Sequence, residues 1–161
     1  MKVIYMHHAE RDVKKENIGH PELKMMEDIT ERGIKEAELL SQHLKDRTDI
    51  KAIYTSPYLR CKHTADIINN YINVPIIEDE RLNEIQKGEE WKHFLERNIN
   101  VLKELDDKYI KDDTIICVTS GVNLTAFVCY FYDIEPTNET KACQGFGISP
   151  VNFVSKGSTV D

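Results

Sequence analysis

Short continuous apolar runs alternate along the chain with longer segments whose apolar positions recur every three or four residues. The first run, Val3-Ile4-Tyr5-Met6, predicts a buried strand. Residues 25–46 carry Ile29, Ile34, Ala37, Leu40 and Leu44 at helical spacing, with Thr30 as N-cap. Gly33 stands where a capping box needs Glu or Gln, so Thr30 caps without that reciprocal partner. Lys51-Ala52-Ile53-Tyr54 predicts a second strand. Ser56 then Pro57 reads as a cap followed by a first-turn proline, opening a helix to about Tyr71. Residues 74–77 predict a third strand, which Pro75 puts at a sheet edge or marks as beginning there. Trp91, Phe94, Leu95, Ile99, Leu102 and Leu105 mark a helix over 89–108. A buried strand over 114–119, an apolar helix over 122–132 and a last strand over 151–154 complete the pattern.

Strands alternating with helices predict an α/β chain, a three-layer α/β/α sandwich with a mainly parallel central sheet. No repeat, low-complexity stretch or linker interrupts it, so residues 1–161 are expected to form one domain. Polar residues close three strands: His7-His8, Thr55-Ser56 and Thr119-Ser120. In such sheets ligands collect at the carboxyl ends of the strands, and these pairs would line one crevice there.

Composition narrows the choices. Of 161 residues 40% are hydrophobic and 30% charged, ordinary for a globular domain. With 21 Lys+Arg against 28 Asp+Glu, the formal charge of −7 disfavours nucleic acid and anionic membrane surfaces as partners. A local basic pocket for a small anion remains compatible with it. Cys61, Cys117, Cys129 and Cys143 show no Cys-x-x-Cys spacing and read as reduced thiols. The N-terminus enters a strand without a secretory pattern, and no run approaches a membrane span, so a cytoplasmic location is expected.

His7 and His8 are the first chemical candidates. In an extended strand they would point to opposite sides, which argues against one shared metal. Arg60, early in the helix after Ser56-Pro57, is either solvated or reaches over a helix N-terminus to hold an anion such as phosphate. Arg11, Lys14 and Lys15 read as solvated surface charge, or as a substrate-side loop. Cys143-Gln144-Gly145-Phe146-Gly147 lacks a dinucleotide site's context and reads as a turn.

Five segments together resemble the histidine phosphatase superfamily, the phosphoglycerate mutase-like proteins. His7-His8-Ala9-Glu10 stands where that family has Arg-His-Gly or Arg-His-Ala after its first strand. Ile29-Thr30-Glu31-Arg32-Gly33 with Ala37 resembles its Leu-Thr-x-x-Gly-x-x-x-Ala. Thr55-Ser56-Pro57-Tyr58-Leu59-Arg60 with Thr64-Ala65 resembles its Ser-Ser-Pro-x-x-Arg-x-x-x-Thr-Ala. Arg81-Leu82-Asn83-Glu84 with Gly88, and Val118-Thr119-Ser120-Gly121, complete the series. The resemblance implies a phosphatase without cofactor that acts on a phosphorylated small molecule or phosphoprotein through a phosphohistidine. It makes His8 the nucleophile, its other ring nitrogen needing a carbonyl acceptor, and Arg60 the phosphoryl clamp. Glu84 is the acid for the leaving oxygen, or a solvated loop carboxylate. His63 stands near Arg60 as a support for the clamp, or as a surface residue.

Two positions depart from the family pattern, since His7 replaces its Arg and Ser120 its second His. Two lost charged hydrogen bonds cost on the order of 3–6 kcal/mol, about 10²–10⁴-fold in rate. Ser120 can donate one neutral bond, Gly121 leaves a helix N-terminus open, and a protonated His7 would raise activity towards pH ~6. Two readings follow: an impaired or unusual phosphatase, or an inactive relative that binds a phosphorylated ligand or partner.

Overall fold

The computed structural model describes residues 1–135 and the backbone of 151–154. Cys143 and the glycines at 145 and 147 lie outside those residues. Strands β1 (Lys2–His7), β2 (Ile50–Thr55), β3 (Ile76–Glu78), β4 (Thr114–Thr119) and β5 (Val151–Val154) form one sheet in the order β3-β2-β4-β1-β5. The first four run parallel, and β5 joins β1 antiparallel at the far edge. Helices α1 (Pro21–Lys24), α2 (Glu31–Leu44), α3 (Leu59–Ile72), α4 (Trp91–Lys108) and α5 (Gly121–Tyr132) connect and cover them.

Side-chain alternation along the strands sorts the core into two layers. Val3, Tyr5, Ala52, Tyr54, Ile115 and Cys117 face Leu102 and Leu105 of α4 and Phe127 of α5. Ile4, Met6, Ile53, Ile116 and Val118 face Leu44 of α2 and Ala65 and Ile68 of α3. The register of β2 slips between Ile50 and Ala52, which puts Ile50 on the second face with Ile53. Burial on both faces explains why these strands read as continuous apolar runs. Pro75, which cannot donate to a ladder, sits just before edge strand β3.

Helix starts follow local chemistry, with one departure. Thr30 caps α2 by accepting from Gly33 N–H at 3.0 Å. Helix α3 begins two residues later than Ser56-Pro57 predicts, with Tyr58 at the cap position. The Ser56 hydroxyl still accepts from Tyr58 N–H (3.3 Å), but its proton goes to Asn83 Oδ1 at 2.6 Å. A tertiary partner thus holds Ser56 ahead of the helix. Among the described residues no helix is long and apolar enough to cross a membrane.

Candidate active site

Strands β1, β2 and β4 end within about a residue of one another, because His7 pairs with Thr119 and Thr55 with Val118. Main-chain bonds carry the pattern one residue further: His8 N–H donates to Thr119 O and Ser56 N–H to Val118 O, both at 3.0 Å. The three polar strand ends therefore meet at one edge, as their sequence positions predict.

Both imidazoles fold back on the next carbonyl. His7 Nδ1 lies 2.6 Å from His8 O, and His8 Nδ1 lies 2.8 Å from Ala9 O. A carbonyl only accepts, so Nδ1 holds the proton in each ring and Nε2 carries the lone pair. The ring centroids stand 4.1 Å apart at 41°. This corrects the expectation of opposite sides: β1 ends at His7, and strand alternation stops before His8.

The loop carrying His8 is pinned from two helices. Ala9 N–H donates to Thr64 Oγ1 (3.0 Å), and the Thr64 hydroxyl donates to Arg60 O (2.7 Å). From α2, the Thr30 hydroxyl donates to Glu10 Oε1 (2.8 Å) and Thr30 N–H to Glu10 O (2.9 Å). A Cβ on Gly33 would stand 2.7 Å from Glu10 O, so only glycine lets the loop approach the helix this closely.

Both imidazoles are neutral near pH 7. Burial lowers the His7 pKa below its ordinary value, and the Arg60 and Arg11 charges lower it further against the bond to His8 O. His8, 8% exposed, is pushed down to about 2 by burial and then by His7. Burial therefore leaves His7 less protonated near pH 6 than an ordinary imidazole would be. Any gain from its protonation moves to lower pH.

Arg60 is buried, 1% exposed, and already engaged. Its Nη1 donates to Lys24 O and its Nη2 to Glu84 Oε2, both at 2.9 Å, while Nε has no hydrogen-bond partner. The guanidinium also lies over the Tyr58 ring, 4.8 Å from its centroid. His63 does not support it: His63 Nδ1 pairs instead with Asp28 Oδ1 at 2.7 Å.

Ser120 is likewise committed. Its hydroxyl lies 2.6 Å from Asn123 Oδ1, an acceptor. Asn123 is oriented this way because its Nδ2 faces three acceptors, Asn98 Oδ1 (2.7 Å), Asn83 O (3.1 Å) and Leu82 O (3.3 Å). Ser120 thus presents a lone pair rather than the expected donor.

The structure adds residues that sequence reasoning missed. Arg97 of α4 donates to Arg81 O (2.6 Å), Asn83 O (2.7 Å) and Glu84 O (3.0 Å), fixing the segment that carries Glu84. It also pairs with Glu89 at 2.7 and 2.8 Å, and this bond chiefly brings the Glu89 carboxyl down to about 2. Asn123 braces the same segment and is itself held by Asn98. The available signal was a polar residue inside an otherwise apolar pattern: Asn98 follows Phe94 by one helical turn, and Asn123 sits in the first turn of the apolar α5.

A cavity of about 270 Å³ opens over this edge, lined by His7, His8, Glu10, Arg11, Val13, Glu84, Ser120, Gly121 and Val122. It gathers five of the six expected site residues. Arg60 is not on its wall but lies behind Glu84, to which it is paired. Gly121 and Val122 open α5, whose first-turn N–H groups lack helical partners and favour an anion. Among the described residues no group of three or more His, Cys, Asp or Glu is placed to hold a metal ion.

Comparisons with known proteins point the same way. The profile of the histidine phosphatase superfamily (branch 1) matches residues 4–89. Phosphoserine phosphatase 1 of Hydrogenobacter thermophilus is 33% identical over 112 residues, covering 70% of this chain and 48% of the relative. A 5''-phosphoribostamycin phosphatase of Niallia circulans is 34% identical over 82 residues, 45% of this chain and 38% of the relative. The chain spans about half the length of the phosphoserine phosphatases it matches. In fold it resembles phosphoglycerate mutase from Bacillus anthracis, with a TM-score of 0.76 at 15% identity over 100% of this chain and 91% of that one.

Proposed function

The chain belongs to the histidine phosphatase superfamily, and from that premise we propose that it hydrolyses a phosphomonoester or phosphohistidine at the cavity beside His8. The observation that carries this reading is the His8 tautomer: Nδ1 donates to Ala9 O, and burial keeps the ring neutral. Nε2 then has a free lone pair for phosphorus. Attack forms a P–N bond as the P–O bond to the leaving group breaks, and Glu84 gives its proton to that oxygen. With Glu84 Oε2 on Arg60, Oε1 is the atom available for the transfer. Water next attacks the phosphohistidine, the P–N bond breaks, and the Glu84 carboxylate takes the water's proton. Phosphate leaves. The N-terminus of α5 at Gly121 receives the phosphoryl charge and Arg60 acts on it only from behind Glu84, while His7 contributes a neutral ring and Ser120 an acceptor.

The same two positions favour the second reading, a protein that binds a phosphorylated ligand without turnover. His7 is neutral and the Ser120 proton is spent on Asn123. The phosphorylated small molecule or phosphoprotein partner, the cytoplasmic location and the single domain over 1–161 belong to this proposal too.

A discontinuous assay with p-nitrophenyl phosphate, paired with acid-labile phosphate bound to the protein after rapid quench, separates the readings. Hydrolysis that His8→Ala abolishes, with a phosphoenzyme only in the unsubstituted protein, is the expected result. Phosphate binding without turnover above background selects the binding protein.

A further inference from the structure

Resting on that pocket reading, we propose that Arg11 is a substrate-binding cation of this pocket, restoring the positive charge that the superfamily's arginine would supply at position 7. The cavity wall carries two carboxylates, Glu10 and Glu84, and two neutral imidazoles. Arg11 is its one cationic lining residue. Without it, no cationic side chain stands on the wall itself, since the arginines paired with Glu84 and Glu10 lie off it.

Arg11 is held in place rather than freely solvated. Its backbone bridges to Ile29, and the next N–H, of Asp12, donates to Asp28 O at 2.9 Å. Its Nε stands 3.4 Å from Oε2 of Glu27, a carboxylate 5% exposed whose Oε2 has no hydrogen bond. Glu27 Oε1 accepts from Asn17 Nδ2 (3.1 Å) and Lys14 N–H (3.4 Å), so one buried acid secures the whole loop. That ion pair engages the inner nitrogen and leaves the two terminal nitrogens without a hydrogen bond to any described residue. Nearby cations are occupied: Lys14 pairs with Asp12 at 2.7 Å, and Arg32 with Glu10 and Glu36 at 3.7 and 3.5 Å. Arg11 also contributes to the lowered pKa of both His7 and His8, which places its charge close to them. A terminal guanidinium fork matches phosphoryl oxygens in a way an ammonium does not.

Calorimetric titration with inorganic phosphate tests the assignment independently of turnover. Arg11→Met is expected to weaken phosphate binding roughly 10- to 100-fold, with Arg11→Lys between. Adding His7→Arg to Arg11→Met should recover most of that loss, a rescue that a purely structural role for Arg11 does not produce. Should Arg11→Met strand Glu27 and unfold, Arg11→Met with Glu27→Gln removes the buried charge and is measured instead. Binding within about twofold of the unsubstituted protein, the same gain from His7→Arg whether or not Arg11 is present, or no phosphate binding by the unsubstituted protein overturns the proposal. Turnover of p-nitrophenyl phosphate is read in parallel. Arg11-dependent binding without turnover removes only the hydrolytic reading, and turnover indifferent to Arg11 removes only this one.

Discussion

Replacing His8 with asparagine is expected to flatten the loss of stability between pH 7 and pH 5, although it removes a buried polar ring. In the folded chain the His8 pKa is lowered from 6.5 to about 2, with burial as the leading cause. The unfolded chain therefore binds the extra proton below pH ~6.5 while the folded one does not, so stability falls as pH falls. This contribution is intact above the unfolded pKa and erodes downward towards the folded value. Integrating the proton difference from pH 7 to pH 5 gives a loss of about 2 kcal/mol from this one ring, near 1.4 kcal/mol per pH unit once below 6.5. Asparagine does not titrate, and its Nδ2 lies close to where Nδ1 donates to Ala9 O, so the bond is retained. Burial lowers the His7 pKa against its bond to the main-chain O of residue 8, and asparagine keeps that carbonyl as well as the Arg60 and Arg11 charges, so most of the His7 contribution is common to the two proteins. Urea unfolding at pH 7 and pH 5, with equal m-values as the check on two-state behaviour, reads the difference. A pH dependence matching that of the unsubstituted protein within about 0.5 kcal/mol, on the scale of this proton linkage, would show that His8 protonates normally in the fold. The neutral nucleophile would then be lost.

Two other substitutions probe the frame around the site. Arg97→Met takes the guanidinium from Glu89 and one donor each from Arg81 O, Asn83 O and Glu84 O. Gln86 and His93 stay on Glu89, Asn123 on Asn83 O and Gln86 on Glu84 O, so the change should cost about 3 kcal/mol. If Glu89→Gln is added to recover stability, kcat for p-nitrophenyl phosphate should stay at least roughly tenfold down while KM changes little, the split expected when a transition-state group is misplaced. Gly33→Ala sets about 1 kcal/mol of helix propensity against about 2–3 kcal/mol of overpacking, the upper part of the usual range because both neighbours, Glu10 O and Glu10 N, are backbone atoms. A net loss near 1–2 kcal/mol is expected in urea unfolding, and an alanine variant as stable as the unsubstituted chain would contradict the close approach.

The layer order and the place of the site were legible in the chain because they depend on local periodicity and on where strands stop. Apolar runs bounded by His7-His8, Thr55-Ser56 and Thr119-Ser120 announce buried parallel strands with polar carboxyl ends, and those ends do meet. Thr30 announced its cap in the same way. Tertiary contacts decided what each polar group has left to offer. Ser56 was drawn from a helix cap to Asn83, Ser120 spent its proton on Asn123, and Arg60 was taken up by Glu84 and Lys24 O. Burial kept His7 neutral, and a buried acid, Glu27, turned Arg11 from expected surface charge into part of the cavity wall. Periodicity is written in neighbouring residues, so it survives without coordinates. Hydrogen-bond vacancy and desolvation are properties of groups far apart in the chain, such as Ser120 through Asn123 to Asn98 and Leu82, and they exist only once the chain has packed.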